Sequence, residues 1–204
     1  MGYIPDGCRP LLVKRKGILM SALSFSIENL EKRSRLSTLF RLLLVIPHHI
    51  VLTAWQWLIQ LLTFVQWWII LFTGKRNEGI WRMQNSWLSY AARVWSYYGL
   101  MFDKWPNIGS EPNGEPTTYS FEYVAKANRL TNFFRFIMVI PAMIVAIFVL
   151  IGAEIVTAIS WFTIVITGKH PQGMFNFLLK VHQFMARVSS YSMMMTDTYP
   201  KFGA

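Results

Sequence analysis

Apolar positions in this chain gather into two long runs, each entered through a basic stretch and left through a polar turn. Residues 42–72 carry no acidic or basic side chain apart from His48 and His49, and residues 136–166 carry only Glu154. About 20 apolar residues span the hydrocarbon core of a bilayer, so either run is long enough to cross. Helices of soluble proteins rarely reach this length, and the pattern predicts an integral membrane protein. Ahead of the first run, Leu36, Leu39, Phe40, Leu43 and Leu44 fall at helical spacing, with Arg35 and Arg41 outside that stripe. This predicts an amphipathic entry helix at the membrane surface, apolar face down and arginines toward phosphates. A straight helix from Arg35 to Phe72 would measure about 57 Å, well over the bilayer core of about 30 Å. The first third should therefore lie outside the core, with a bend at Pro47 and, in the second run, at Pro141.

After each run the polarity returns abruptly, in TGKRNEG (73–79) and TGKHPQG (167–173). Gly74 and Gly168 are placed as helix-ending residues, and Lys75 and Lys169 complement a helix C-terminus. Residues 79–102 and 173–196 are less apolar but long enough to return across the membrane. The first of these, with Arg82, Gln84, Asn85 and Arg93, has an interfacial position as its alternative. Residues 24–30 and 118–124 alternate apolar and polar side chains, as short extended entries do.

The two halves are copies of one another. Residues 24–109 set against 118–203 match at 28 of 86 positions without a gap. The period is too long for a solenoid, so the chain reads as two copies of a supersecondary module. The boundaries are an irregular basic N-terminal tail (1–23), module 1 (24–109), a turn-rich linker (110–117) and module 2 (118–204). The expected fold is an all-α membrane protein: two tandem helical hairpins, about four transmembrane helices, with amphipathic basic entry helices.

Charge refines this picture. The formal net charge is +10, yet charged residues make up only 15% of the chain, well below the roughly 25% of soluble domains. Thirteen of the twenty Lys and Arg residues flank the termini and linker and five flank the hairpin turns, which places the termini in the cytoplasm. The basic charges flank apolar runs, so their expected partner is anionic lipid rather than nucleic acid. The single cysteine, Cys8, excludes an internal disulfide and a cysteine metal cluster. No cleavable signal peptide is expected.

The motifs FRxxxVIP, TGKxxxG, ARVxSY and Dx[WY]P occur in the same order in both halves. In this the chain resembles a bacterial membrane family known only as domain of unknown function 4389, over essentially 24–203. The first copy departs from the family pattern where Arg76-Asn77-Glu78 stands in place of a proline before the glycine; the second copy has His170-Pro171-Gln172. The resemblance implies an integral membrane protein of the bacterial inner (cytoplasmic) membrane and no particular reaction.

Candidate chemistry is sparse. No Walker, GxSxG, HExxH or CxxC signature is present, and the TGK turns lack the upstream glycines of a phosphate loop. No catalytic residues, metal ligands or cofactors are expected. His48-His49 and His182 are weak candidates for a haem or pigment; only His182 lies well inside a predicted span, and Leu88 stands at its counterpart. Trp67, Trp68, Trp81, Trp161 and Trp105 read as interfacial anchors. The residues singled out are intramembrane: Glu154 with Arg187, and at the matching positions Gln60 with Arg93. Charges in hydrocarbon demand partners, so each pair is expected to pin its hairpin. Arg35, Arg41, Arg129 and Arg135 are the expected lipid headgroup contacts.

Three functions are compatible with this reading. The first is a non-catalytic accessory or scaffold subunit of a larger membrane protein complex. The second is a small transporter or channel with a polar Glu/Arg centre. The third is a lipid-associated protein that shapes or senses the membrane.

Overall fold

The structure, a computed structural model, describes residues 23–27, 29, 33–109 and 114–202. The expected tail 1–23 lies outside the described residues, apart from Leu23, as does Cys8. In chain order the elements are β1 (Leu23–Ile27), α1 (Arg35–Leu39), α2 (Arg41–Thr73), α3 (Glu78–Tyr98), β2 (Thr117–Phe121), α4 (Arg129–Thr167) and α5 (Gln172–Ser192). The fold is mainly helical but not all-α. β1 and β2 pair antiparallel, Phe25 opposite Tyr119, so the two alternating entry segments form one ribbon. Its inward side chains Phe25, Ile27 and Phe121 are buried, while Ser24, Ser26, Thr118 and Ser120 face outward.

Local signals set the helix ends. Ser34, Asn77 and Asn128 cap the N-termini of α1, α3 and α4 through their side-chain oxygens. Gly74 (φ 70°) and Gly168 (φ 74°) end α2 and α4 in the left-handed conformation. Arg76-Asn77-Glu78 thus has a local explanation: Asn77 supplies a cap and Glu78 a first-turn acid paired with Arg82 at 2.6 Å. α3 and α5 stop earlier than residues 102 and 196, because Leu100 and Met194 adopt positive φ and the amides of Met101 and Met195 reach back to the carbonyls of Ser96 and Ser190. That bonding closes a helix even without glycine. Both long helices continue through Pro47 and Pro141. The break in the first copy falls instead at Phe40, between α1 and α2.

The two halves interlock head to tail. Ala127 N–H donates to Gly74 O, so the entry of module 2 meets the end of α2; Arg33 N–H donates to Gly168 O, so the entry of module 1 meets the end of α4. The indoles of Trp67 and Trp161 repeat the exchange, donating to Asn132 O and Thr38 O across the modules. α2 and α4 are therefore antiparallel, and the two TGK turns lie at opposite ends of the molecule. This corrects the expected sidedness, in which both turns share one face opposite all entry segments.

Three layers result. α2 and α4 each bury one stripe, which includes Val45, Leu52, Ile59 and Ile70 on α2 and Val139, Ala146, Ala153 and Ile164 on α4, and expose the opposite face. α3 and α5 lie beneath them, each with one broad side buried, Tyr90, Leu88, Leu178 and Tyr191 fully so. The ribbon and the connecting segments cover the opposite side, with Trp81 against Phe121 and Gln183 donating to Phe25 O. Among the described residues two helices, α2 and α4, are long and apolar enough to cross a membrane. The more polar α3 and α5 are the middle layer of a packed core.

Candidate functional site

At the start of each long helix sits a buried arginine with the same set of partners. Arg41 donates through Nη1 to Tyr97 O and Phe102 O at 3.0 and 2.6 Å and through Nη2 to Asp103 Oδ1 at 2.6 Å. Arg135 does the same with Tyr191 O, Thr196 O and Asp197 Oδ1. Each guanidinium stacks over the tyrosine whose carbonyl it binds, 4.1 Å above Tyr97 and 4.4 Å above Tyr191. The other carboxylate oxygens of Asp103 and Asp197 accept from the backbone of Ser34 and Asn128. One Arg–Asp pair thus satisfies the carbonyl end of one helix and the amide end of another, where helix dipoles favour a cation and an anion respectively.

This corrects the expected lipid contacts at Arg41 and Arg135, which are 2% and 1% exposed. Their position on the entry helix falls on the side facing α3 and α5 rather than solvent. Arg35 and Arg129 do remain exposed. They lie across the glycine turn of the opposite module, where a Cβ on Gly168 or Gly74 would come within 3.3 or 3.1 Å of the guanidinium Nε.

A second arginine completes each centre from a different place. Arg33, on the entry of module 1, donates to Met101 O. Module 2 has Ala127 at the matching position, and Arg76, from the first TGK turn, fills the corresponding space. Its Nε donates to Met194 O at 2.7 Å, Nη1 binds Val124 O and Lys126 O, and Nη2 lies 2.6 Å from Asp197. His170 takes the place of Arg76 in the second turn. Burial first, and then the nearby Arg33 charge, push its imidazole down to about 4.

The predicted intramembrane pairs are not formed. Arg187 faces away from α4 toward β1 and donates to Lys201 O. Arg93 donates to Gly109 O. Gln60 is exposed on α2. Glu154 instead accepts from Tyr98 Oη at 2.8 Å. Equal depth along a hairpin does not put two side chains on facing stripes, and Arg187 sits on the far stripe of α5. Trp81, expected at an interface, is buried against Tyr123 and Phe121. His182 hydrogen-bonds Leu178 O through Nδ1, and no group of three metal-binding side chains occurs among the described residues.

The outer layer carries the other notable surface. Trp57, Leu61, Phe64, Trp68 and Phe72 on α2, and Phe136, Ile147, Phe148, Ile155 and Phe162 on α4, are all exposed. The only charged side chain in the middle of this face is Glu154. Exposed cations stand at its ends, Arg35 with Lys169 and Arg129 with Lys75 and Lys126. Between the two helices runs a groove of about 440 Å³, with His49 and Glu154 at its mouth and Trp95, Val181 and His182 among its floor residues. It continues past Glu154 toward Leu42 and Trp161. Tyr98, on the floor, has its phenol pushed up to about 12, by burial first and by the neighbouring Glu154 second.

The class defined here is a two-module helical protein whose outer layer of two antiparallel helices is apolar and open. The family model described as domain of unknown function (DUF4389) matches residues 35–107 and 129–204, and the chain belongs to that family, in two tandem copies. No curated protein and no solved structure matches the chain.

Proposed function

We propose that this chain is a non-catalytic, lipid-associated protein that lies in one face of a membrane, with α2 and α4 in the membrane plane. The observation that carries this reading is the antiparallel pairing of α2 with α4. Asp103 sits at the start of α2 and Lys126 at its end, so the segment between them runs the length of the molecule on the ribbon side. If α2 and α4 crossed a bilayer, this segment would cross with them. Glu115, Glu122 and the open edges of a two-stranded ribbon would then lie at hydrocarbon depth, where unpaired backbone groups are not tolerated. Laid flat, the same molecule puts its apolar layer among acyl chains and the ribbon in water. Arg35, Lys169, Lys75, Lys126 and Arg129 then rim the apolar face at headgroup level, suited to anionic lipid. The pseudo-two-fold axis relating the modules becomes the membrane normal, so both copies meet the bilayer alike.

Labelling tests the reading. In a Cys8→Ser background, single cysteines replace Lys75, Lys169 and Ser120. A membrane-impermeant maleimide should reach all three from the same side. Four conventional spans would put positions 75 and 169 together opposite 120, and two antiparallel spans would put 75 and 169 on opposite sides.

A second reading is an accessory subunit of a larger membrane complex. It is favoured by the aromatic ridge on α2, where Trp68 stacks on Phe72 at 5.7 Å and meets Phe64 edge-on at 6.3 Å. Aromatic rows of this kind suit a protein surface as well as lipid. Co-migration with a larger assembly on a native gel, rather than with lipid alone, would favour it. The transporter reading loses its chemical basis, because Glu154 and Arg187 do not meet.

A further inference from the structure

We infer that the groove between α2 and α4 is a binding site for a single phospholipid with a primary-amine headgroup, its ammonium at Glu154 and one acyl chain along the groove. The inference draws on the in-plane reading only in taking the groove to be reached from the lipid layer. Its first support is a break in the pseudo-symmetry. The groove is opened by small side chains at Ala153, Gly99 and Val181. At the three matching positions of the other half stand Ile59, Met193 and Trp87, all buried, and Trp87 is fixed there by an indole bond to Leu52 O. The same backbone frame is thus filled on one side and hollow on the other. Gly99 also lets His182 close to within 3.0 Å of where a Cβ would be, so the floor is shaped as well as empty.

The second support is charge. Glu154 is the only ionisable carboxylate on the apolar face, and one of its oxygens is held by Tyr98. The other has no hydrogen-bond partner among the described residues. A carboxylate at an apolar surface calls for a cation that can donate hydrogen bonds. An ammonium headgroup meets both demands. A choline headgroup has no N–H, and a glycerol headgroup has no positive charge. The volume lies within the range of small-molecule sites.

The test uses the full chain in detergent, where membrane orientation plays no part, so its outcome is separate from that of the labelling experiment. Purified protein is incubated with equimolar phosphatidylethanolamine, phosphatidylcholine and phosphatidylglycerol of identical acyl chains, and retained lipid is counted by native mass spectrometry. The expected result is one tightly held phosphatidylethanolamine, favoured about tenfold over either competitor. Glu154→Gln should keep one lipid but lose the preference. Ala153→Ile, which copies the residue of the filled half, should lose the lipid while circular dichroism and melting stay native. Equal retention of all three lipids by the wild-type chain would overturn the headgroup assignment. Undiminished retention by folded Ala153→Ile would overturn the site.

Discussion

Arg76 of the first module and Asp197 of the second lie 2.6 Å apart, and Asp197 is shared with Arg135 at the same distance. The modules are therefore joined by an ionic centre to which both contribute. Arg33 plays the part of Arg76 at the other centre, where it reaches Met101 O. The two centres are equivalent in space and built from non-equivalent sequence positions.

This relationship makes a swap experiment decisive. Arg76→His, the residue of the second turn, removes the contacts to Met194 O, Val124 O, Lys126 O and Asp197, and should destabilise the protein by about 3 kcal/mol, as broken buried pairs do. Adding Ala127→Arg gives module 2 the arginine that module 1 carries at position 33, and should restore part of that loss. Melting curves of the two single variants and the double variant check this; a double variant no more stable than Arg76→His would show that the two positions are not interchangeable.

The duplication, the glycine-marked ends of α2 and α4 and the two long apolar helices were legible in the sequence because identity, glycine placement and polarity are local signals; the ends of α3 and α5, closed without a left-handed glycine, were not. The arginine–aspartate centres were half legible. Arg41 and Arg135, and Asp103 and Asp197, were all visible as repeated motif letters, and two invariant-looking opposite charges in each copy were the signal available. Reading Arg41 as a headgroup contact followed from treating the entry segment as a free amphipathic helix. Its position relative to the C-terminus of α3 depends on tertiary packing. The antiparallel arrangement was not legible at all, since a tandem repeat specifies the same module twice and says nothing of their relative direction. The pairing of Glu154 with Arg187 failed for a related reason: depth was read from residue counts, while facing direction was not.

Within each centre the paired guanidinium is the critical group. Arg41→Leu removes the buried donor from Tyr97 O, Phe102 O and Asp103 Oδ1, and Arg135→Leu removes it from Tyr191 O and Thr196 O, while Asp197 keeps Arg76. Each should cost about 3–5 kcal/mol, and lysine should rescue little because it cannot form the same fork. Arg35→Leu, on the exposed side of the same segment, should cost well under 1 kcal/mol. Thermal unfolding of the three variants in one detergent makes the comparison.

His170 predicts the acid limb of stability. Its folded-state value of about 4 lies below the ordinary 6.5 because the ring is buried and Arg33 is close. Between those two values the unfolded chain binds a proton that the native chain does not. The contribution is therefore complete above about 6.5 and is lost as pH falls toward 4, reaching about 3 kcal/mol. His170→Gln should flatten that part of the stability profile; an unchanged slope in the variant would assign the acid limb to other groups.

The exposed layer makes the last prediction. Trp57 on α2 and Phe148 on α4 are 71% and 70% exposed, among the most exposed apolar side chains of this layer. Lysine at either position should leave the fold intact, because neither side chain fills a buried space. Membrane affinity should respond differently. Moving a lysine into hydrocarbon costs about 2.5–3.5 kcal/mol on the insertion scale, and a helix lying at the interface can relieve part of this by extending the side chain toward headgroups. Trp57→Lys with Phe148→Lys should therefore reduce partitioning into vesicles by at least tenfold, each single variant by less, with melting in detergent unchanged. Arg35→Glu with Arg129→Glu should weaken binding to anionic vesicles and leave binding to neutral ones nearly untouched, because rim charges act through surface potential. Flotation on vesicles of two compositions separates these effects. If the lysine pair floats as well as wild type, the outer layer is covered by protein rather than lipid, and the accessory-subunit reading takes precedence.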